Sequence, residues 1–255
     1  MIELHREADQ RALAVRGQLQ LGIAPIPDVV TVLEGLGLIV FVQPWGAEGP
    51  LGALLPRGER SYIFLNGDQP LPRLRFSGAH ELGHHVFVDG PKLDRDSDLL
   101  GSREIEERRA NSFAAAFLMP RDGIKVALDT SRRIHGEEVV RIATHFGVSY
   151  EMATYRLHNT GFVDAARRDQ LLAERAAVLT PEFRRRLGSI RHLPSEYVVN
   201  AFDGYLSSRL DFDRLAELLH ADDRVGRQQL ARDLHEKTQL HEDDEAELQP
   251  IGRRR

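Results

Sequence analysis

The sequence predicts an α+β protein in which a small antiparallel or mixed sheet packs on a helical core. Three short runs of apolar and β-branched residues lie between positions 38 and 65, as short strands require. Beyond residue 70, apolar residues recur instead at intervals of three and four, which is the period of a helix. The same period continues after residue 164, so we expect a mostly helical C-terminal region.

Composition excludes several classes of protein. The sequence contains no cysteine, so disulfide frameworks, thiolate metal sites and cysteine nucleophiles are ruled out. A net charge of -5 argues against a protein devoted to nucleic acid. No basic and apolar export signal begins the sequence, and the longest apolar run, 36–42, is too short to cross a bilayer. We therefore expect a cytoplasmic protein with no membrane partner.

Two helices are expected before the sheet. Residues 3–21 place apolar side chains among charges and are followed by Gly22, a helix stop. A second helix follows Pro27, because proline suits the first turn of a helix, and ends near Gly35. We interpret both helices as structural.

Three strands are predicted next, over residues 38–42, 52–55 and 61–65. The last two form a hairpin across Arg57 and Gly58. A sheet beside an active-site helix can bind an extended peptide by adding a strand at its edge. It can equally serve only to cover the helix, and the sequence favours neither use.

Residues 76–87, FSGAHELGHHVF, contain the spacing HExxH at His80, Glu81 and His84. In a helix, His80 and His84 lie one turn apart on the same face, so both imidazoles can reach one cation. Zinc binds imidazole nitrogen readily, and a catalytic zinc site keeps one position open for water. The carboxylate of Glu81 could take a proton from that water. The spacing therefore predicts a zinc hydrolase, although the bare pattern also occurs by chance.

A second helix, predicted over 103–119, can supply a third ligand. Its apolar stripe is formed by Ala110, Phe113, Ala114, Phe117 and Leu118. One turn earlier the stripe reaches Glu107, and a carboxylate on a core-facing stripe is costly unless it is paired or bound to a cation. We therefore predict Glu107 as a metal ligand. Glu106 lies about 100° round the helix and is interpreted as a solvated charge, while Glu104 could substitute only if the helix were displaced.

Together these two motifs resemble the ImmA/IrrE family of zinc metallopeptidases, in which an AHELGH helix is followed by an ExxANxFAAxxLMP helix. The matching positions are residues 79–84, Glu107, Ala110, Asn111, Phe113, Ala114, Ala115, Leu118, Met119 and Pro120. The resemblance implies a zincin-like core with one Zn²⁺ per chain, bound by His80, His84 and Glu107, and Glu81 as general base. Asn111, one turn after Glu107, is expected to fix the backbone or the ligand carboxylate.

Residues 89–102, between the two motif helices, are rich in Asp, Gly and Ser and are predicted to be a surface loop. A plain connector is favoured over a lid, and none of its acidic residues can be assigned as a ligand.

His85 points about 100° away from His84 in a helix and is interpreted as a core or surface residue. The sequence does not identify the residue that would stabilise the oxyanion of the tetrahedral intermediate. The candidates are Tyr62, Tyr150, Tyr155 and His158.

Residues 137–162 have the outline of a helix-turn-helix, with GVS as the turn. The second helix carries the acidic residue Glu151, and Arg156 is its only Lys or Arg side chain. A helix with so little positive charge is poorly suited to binding phosphates. Similar segments close the peptidase domain in the ImmA/IrrE family. A structural helix pair is therefore favoured over a DNA-reading one.

The sequence divides into three predicted regions. Residues 1–163 form the metallopeptidase domain, which ends in the helix-turn-helix-like pair, and residues 164–240 form the helical C-terminal region. Residues 241–255 are acidic and then basic with almost nothing apolar, so they are predicted to be a disordered tail.

The function predicted from the sequence is zinc-dependent hydrolysis of a peptide bond in an intracellular protein. The resemblance implies that this substrate is a transcriptional repressor of the helix-turn-helix type. Two alternatives stay open. The chain could be a zinc-fold docking protein that does not cleave its partner, or a DNA-binding regulator acting through residues 137–162.

Overall fold

The computed structural model describes residues 2–46, 48–94, 105–128, 133–179, 192–221, 223–232 and 234. Within them the protein has the predicted α+β fold, with a small mixed sheet and a majority of helix. None of the described helices combines the length and the apolar character needed to cross a membrane. The predicted disordered tail, 241–255, lies outside the described residues.

The helices follow the sequence pattern closely. In chain order they are α1 (Ile2–Gln18), α2 (Val29–Gly35), α3 (Leu71–Val86), α4 (Ile105–Leu118), α5 (Arg121–Ala127), α6 (Gly136–Phe146), α7 (Tyr150–Asn159), α8 (Ala165–Val178), α9 (Ser195–Leu206) and α10 (Phe212–Leu218). Polar caps explain several of the starts, because Asp28, Ser149 and Asp164 each accept a hydrogen bond from a backbone N–H of the first turn. Helix α3 instead begins after Pro70, with a second proline in its first turn.

The sheet has four strands, β1 (Ile39–Gln43), β2 (Gly52–Arg57), β3 (Arg60–Asn66) and β4 (Lys92–Asp94), in the order β1-β3-β2-β4. Strands β2 and β3 form the predicted antiparallel hairpin, and β1 runs parallel to β3. Arg57 pairs with Arg60, so the turn residues are Gly58 and Glu59, one position later than predicted. Gly58 has φ +62, a conformation that glycine adopts without penalty.

The predicted surface loop over 89–102 is wrong in its first part. Residues 92–94 form strand β4, which pairs antiparallel with Gly52, Ala53 and Leu54 of β2. A run of three residues is too short to show the alternation of a strand, so the sequence pattern did not predict β4. Residues 95–102 lie outside the described residues.

Helices α3 and α4 pack closely because small residues meet where they cross. A Cβ atom added to Gly83 of α3 would lie 3.0 Å from Cα and 3.2 Å from the carbonyl oxygen of Ala110 in α4. Glycine at this point allows the two backbones to approach. The other side of α4 packs on α1, where Ala8 and Ala12 are fully buried. The crossing of α3 and α4 brings the two predicted metal motifs together.

Buried arginines bind backbone carbonyls around this core. Arg16, which is 1% exposed, donates to the carbonyls of Phe117 and Gly22, at 2.6 and 2.8 Å, and also to that of Ala24. Arg75 donates to Ile26, Pro27 and Phe146 from helix α3. Burial lowers the pKa of both guanidinium groups. These contacts satisfy carbonyls at helix ends and turns that would otherwise be buried without a donor.

The pair α6 and α7 is part of the hydrophobic core. The inward residues Val139, Ile142, Ala143, Phe146, Ala153 and Leu157 are at most 1% exposed and belong to the main core cluster. The turn between the helices has Gly147 at φ +66, and a Cβ there would lie 2.9 Å from Nε of Arg75. Helix α8 packs against both α6 and α7.

The chain divides into two compact units, Met1–His192 and Leu193–Arg255. Helix α8 lies in the first unit, whereas the sequence assigned it to the C-terminal region that begins at residue 164. The second unit has a small core of its own, formed by Ala201, Phe202, Leu215, Ala216, Leu230 and Leu234.

Candidate metal centre and active site

His80 and His84 lie on the buried face of α3, and both are 0% exposed. Their rings meet edge to face with centroids 4.6 Å apart, and their Nε2 atoms are 2.9 Å apart. This is the arrangement expected of residues four apart on one face of a helix. Both side chains therefore present one nitrogen to the same point.

Glu107 reaches that point from α4. Its Oε2 lies 3.2 Å from Nε2 of His80, and its Oε1 lies 3.4 Å from Nε2 of His84. Burial by itself would raise the pKa of Glu107, but hydrogen bonds and charge from His80 and His84 hold the pKa well below its usual range. The carboxylate is thus ionised and 5% exposed. Ligand atoms of these three residues lie within 4.8 Å of one another.

The other ring nitrogen of each histidine is bound to a different partner. Nδ1 of His80 donates to Oδ1 of Asn111 at 2.9 Å, and Nδ1 of His84 donates to Oδ2 of Asp89 at 2.8 Å. Asn111 therefore holds a ligand imidazole, a partner that the sequence had not predicted for it. Asp89 was not singled out in the sequence, because it follows the helix at a spacing that belongs to no helical face.

The three side chains fit a metal ion. Because both Nδ1 atoms donate, neutral imidazoles would direct both Nε2 lone pairs at each other across 2.9 Å, beside an ionised carboxylate. That arrangement is repulsive unless positive charge lies between the groups, either as protons on Nε2, which hydrogen-bond Glu107 and hold down its pKa, or as a metal ion in their place. Ligand atoms about 2.05 Å from a tetrahedral zinc are about 3.3 Å from one another, and the observed separations are 2.9, 3.2 and 3.4 Å. Two imidazoles and one carboxylate are also a donor set that zinc accepts.

Glu81 is fully buried on α3, next to the first histidine. Strand β2 passes directly against it, since a Cβ atom on Gly52 would lie 2.4 Å from Oε1 of Glu81. The carboxylate therefore lies between the metal-binding face of α3 and the start of β2. A side chain at position 52 would occupy the same space as the carboxylate.

His85 and the four residues considered for stabilising the oxyanion lie at different places in the fold. His85 contacts Oγ of Ser61 in β3 at 3.1 Å, and burial lowers its pKa. Tyr150 donates to the carbonyl of Leu171 and His158 to that of Val163, so both are occupied away from the three-residue group. Tyr155 is 37% exposed on α7, and Tyr62 lies on β3, paired with Ile39 and Leu55.

Of the two competitors of Glu107, the structure describes one. Glu106 is exposed, as its position round the helix predicts. Glu104 lies outside the described residues. Among the described residues, the group that could hold a metal ion is His80, His84 and Glu107.

Comparison with known proteins identifies the family. No curated protein matches the chain. The family model Peptidase_M78, the IrrE N-terminal-like domain, matches residues 34–158. That span contains the sheet, the HExxH helix, the helix of Glu107 and the α6–α7 pair. Through residues 34–158, the chain belongs to the ImmA/IrrE family of peptidases.

Proposed function

We propose that this protein is a zinc-dependent endopeptidase with His80, His84 and Glu107 as the zinc ligands and Glu81 as the general base. The observation that carries the proposal is the convergence of two Nε2 atoms, 2.9 Å apart, with a buried carboxylate. Three protein ligands leave a fourth position open, as in catalytic rather than structural zinc sites. One Zn²⁺ per chain is expected.

A zinc ion in this site would supply Lewis-acid chemistry, by polarising the scissile carbonyl and lowering the pKa of water. Glu81 would accept the proton from the attacking water at its carboxylate and later deliver it to the leaving nitrogen. Its burial beside β2 keeps this carboxylate in a fixed place during both transfers. His80, His84 and Glu107 hold their ligand atoms in place without taking part in proton transfer.

The sheet provides a way to align a peptide. Gly52, which lies against Glu81, pairs with Asp94 of β4, the last strand in the order β1-β3-β2-β4. A peptide added at this edge would pair with β4, about 10 Å from β2. Strand addition supplies backbone hydrogen bonds without regard to sequence, and side-chain pockets then set specificity.

The proposed substrate is an intracellular transcriptional repressor of the helix-turn-helix type, and the proposed location is the cytoplasm. Support for the substrate comes from the family resemblance alone. The surroundings of Arg156 argue against direct DNA binding by residues 137–162. Arg156 is the arginine of α7. It is 5% exposed and bonded to Asp9 and to the carbonyl of Met119, so it is not available to a phosphate.

The experiment that tests this function compares the purified wild type with Glu81→Gln. Zinc content is measured first, and each protein is then incubated with the helix-turn-helix repressor encoded nearest to its gene. We expect about one zinc in both proteins and cleavage by the wild type only. Glutamine keeps the shape of Glu81 but cannot accept the proton.

The other outcomes separate the alternatives. Equal cleavage by Glu81→Gln would remove Glu81 from the mechanism. Zinc bound by both proteins, with binding of the repressor but no cut, would favour the docking role. Binding to DNA that weakens steeply as salt rises would instead favour a DNA-binding regulator.

A further inference from the structure

We propose that Asp89 and Arg109 are positioning residues that orient His84 and raise its strength as a metal ligand. The inference rests on the proposed zinc function and adds to it two residues that neither the motif nor the family match assigns. Both lie outside the HExxH spacing. They form one chain of contacts that ends on His84.

The contacts are short and largely shielded from water. Oδ2 of Asp89 accepts from Nδ1 of His84 at 2.8 Å, and Oδ1 of Asp89 accepts from Nη2 of Arg109 at 2.6 Å. The side chain of Asp89 is 5% exposed, and that of Arg109 is 22% exposed. Each carboxylate oxygen thus has its own donor. A carboxylate this deeply buried is stable only when it is paired and hydrogen-bonded.

The end of helix α3 is shaped to present Asp89 to His84. The N–H of Val88 donates to the carbonyl of His85, and the N–H of Asp89 donates to the carbonyl of His84, at 3.1 and 2.9 Å. These are the two bonds of a Schellman helix end, which turns the chain back over the last turn. Val88 occupies the left-handed position with φ +59. A β-branched residue is rarely found there, so the turn is held by the contacts that follow it.

Arg109 connects this helix end to the helix of the third ligand. It lies two residues after Glu107 on α4, and its guanidinium stacks over the ring of Phe87 at 4.2 Å. The stack fixes a long side chain that would otherwise sample many rotamers. Helix α4 therefore contributes Glu107 to the metal group, Asn111 to His80, and, through Asp89, Arg109 to His84.

The two histidines consequently differ in their outer partners. His80 donates to a neutral amide oxygen, whereas His84 donates to an ionised carboxylate that is itself held by a cation. An imidazole whose Nδ1–H is bound to a carboxylate is a stronger base at Nε2, and its ring is fixed in the tautomer that binds metal. Loss of such a partner commonly costs ~10–100-fold in metal affinity. His84 is therefore the ligand whose affinity depends most on an outer residue.

The test measures zinc affinity by competition with a chromophoric chelator, together with the visible spectrum of the Co²⁺-substituted protein. We expect Asp89→Ala to bind zinc ~10–100-fold more weakly than the wild type. Asp89→Asn, which keeps a neutral acceptor like that of His80, should lose less. The Co²⁺ bands should shift in both variants. A residue that only supported the fold would not move these bands.

Arg109 provides an independent set of variants. Arg109→Met removes the charge and should weaken zinc binding, and Arg109→Lys should recover part of the loss because it keeps a donor for Asp89. Arg108→Met is the matched control, since it removes a neighbouring positive charge that does not contact Asp89. Thermal unfolding of every metal-free protein shows whether a variant has lost its fold.

The outcomes distinguish this inference from the proposed function. If the wild type binds no zinc, the proposed function itself fails. If the wild type binds zinc and Asp89→Ala binds it equally tightly, with an unchanged Co²⁺ spectrum, only the role of Asp89 is overturned. If the Asp89 variants do not fold, the Arg109 pair decides. Equal affinity in Arg109→Met and the wild type would then refute the proposal.

Discussion

A Cβ atom placed on Gly52 would lie 2.4 Å from Oε1 of Glu81 and 3.3 Å from its Cδ and Cγ. The carboxylate proposed as general base thus lies directly against the first residue of strand β2. The contact joins the sheet to the active-site helix at the carboxylate itself. A substitution at position 52 therefore tests whether the Glu81 carboxylate must stay where it lies.

Gly52→Ala should lower the rate of peptide hydrolysis without loss of the metal. The added methyl group takes the space of the carboxylate, so Glu81 must move from its place beside the attacking water. General-base catalysis contributes ~10²–10⁴-fold, and we expect a loss of about a hundredfold in kcat. Zinc affinity should be unchanged, because Glu81 is not a ligand. Gly35→Ala is the control, since its Cβ would meet nothing within 4 Å. Full activity in Gly52→Ala would show that Glu81 need not stay where it lies.

Glu107→Ala should abolish tight zinc binding, whereas Glu106→Ala should not. Glu107 lies 3.2 and 3.4 Å from the two imidazoles, while its neighbour is exposed. A ligand that binds only the folded state at 100 times its Kd stabilises that state by about 2.7 kcal/mol. Added zinc should therefore raise the Tm of the wild type and of Glu106→Ala, but not that of Glu107→Ala. An equal rise in all three proteins would exclude Glu107 as the third ligand.

Gly83→Ala should destabilise the protein and separate the metal ligands. The new Cβ would lie 3.0 Å from a backbone atom of Ala110, which can move only if helix α4 moves. Overpacking of this kind typically costs ~1–3 kcal/mol, and it displaces Glu107 from the histidines. Chemical denaturation and zinc competition measure the two effects.

The matched control for Gly83 is Gly17→Ala in helix α1, where the Cβ would meet nothing within 4 Å. That change should be neutral or stabilise by ~0.5–1 kcal/mol, because alanine loses less backbone entropy than glycine. If Gly83→Ala behaved like Gly17→Ala, the close packing of α3 and α4 would not be needed.

Tyr150→Phe should remove a stabilising contribution that is present at neutral pH and lost at alkaline pH. The Tyr150 hydroxyl donates to the carbonyl of Leu171, and burial raises the pKa of the phenol to about 12. The hydrogen bond is expected to contribute about 1 kcal/mol at neutral pH. In the unfolded chain the phenol ionises near pH ~10. The wild-type advantage is therefore complete below that pH and is lost as the pH rises through 12.

Denaturant unfolding of both proteins at pH 7, 10 and 11 checks this expectation. The difference in unfolding free energy between wild type and Tyr150→Phe should be largest at pH 7, smaller at pH 10, where the unfolded phenol is about half ionised, and smaller again at pH 11. A difference that is the same at all three pH values would mean that the phenol ionises as easily in the folded protein.

Much of the metal centre could be predicted from local spacing. Residues four apart on a helix share a face whatever surrounds them, so His80 and His84 were certain to converge once α3 formed. Glu107 could be chosen over Glu106 and Glu104 because a charge on an apolar stripe needs a partner. The hairpin and the helix pair α6–α7 were likewise visible in patterns of a few residues, with an error of one position in the turn.

Other parts of the site depend on contacts that no pattern records. Asp89 reaches His84 only because the helix end folds back, and Arg109 reaches Asp89 only because α4 crosses α3. Strand β4 exists because β2 offers an edge to three residues that carry no strand signal of their own. The same is true of Gly52, whose need to be glycine comes entirely from Glu81.

The sequence by itself therefore determined the chemistry proposed for this protein: two imidazoles and one carboxylate that could hold a metal, a second carboxylate proposed to take a proton, and the helices that carry them. Helical periodicity is a property of the backbone, so it can be read without knowing the fold. The tertiary structure alone decided which side chains surround those groups. Asp89, Arg109, Asn111 and Gly52 come from three separate segments, and only the packing of α3 against α4 and β2 brings them to His80, Glu81 and His84.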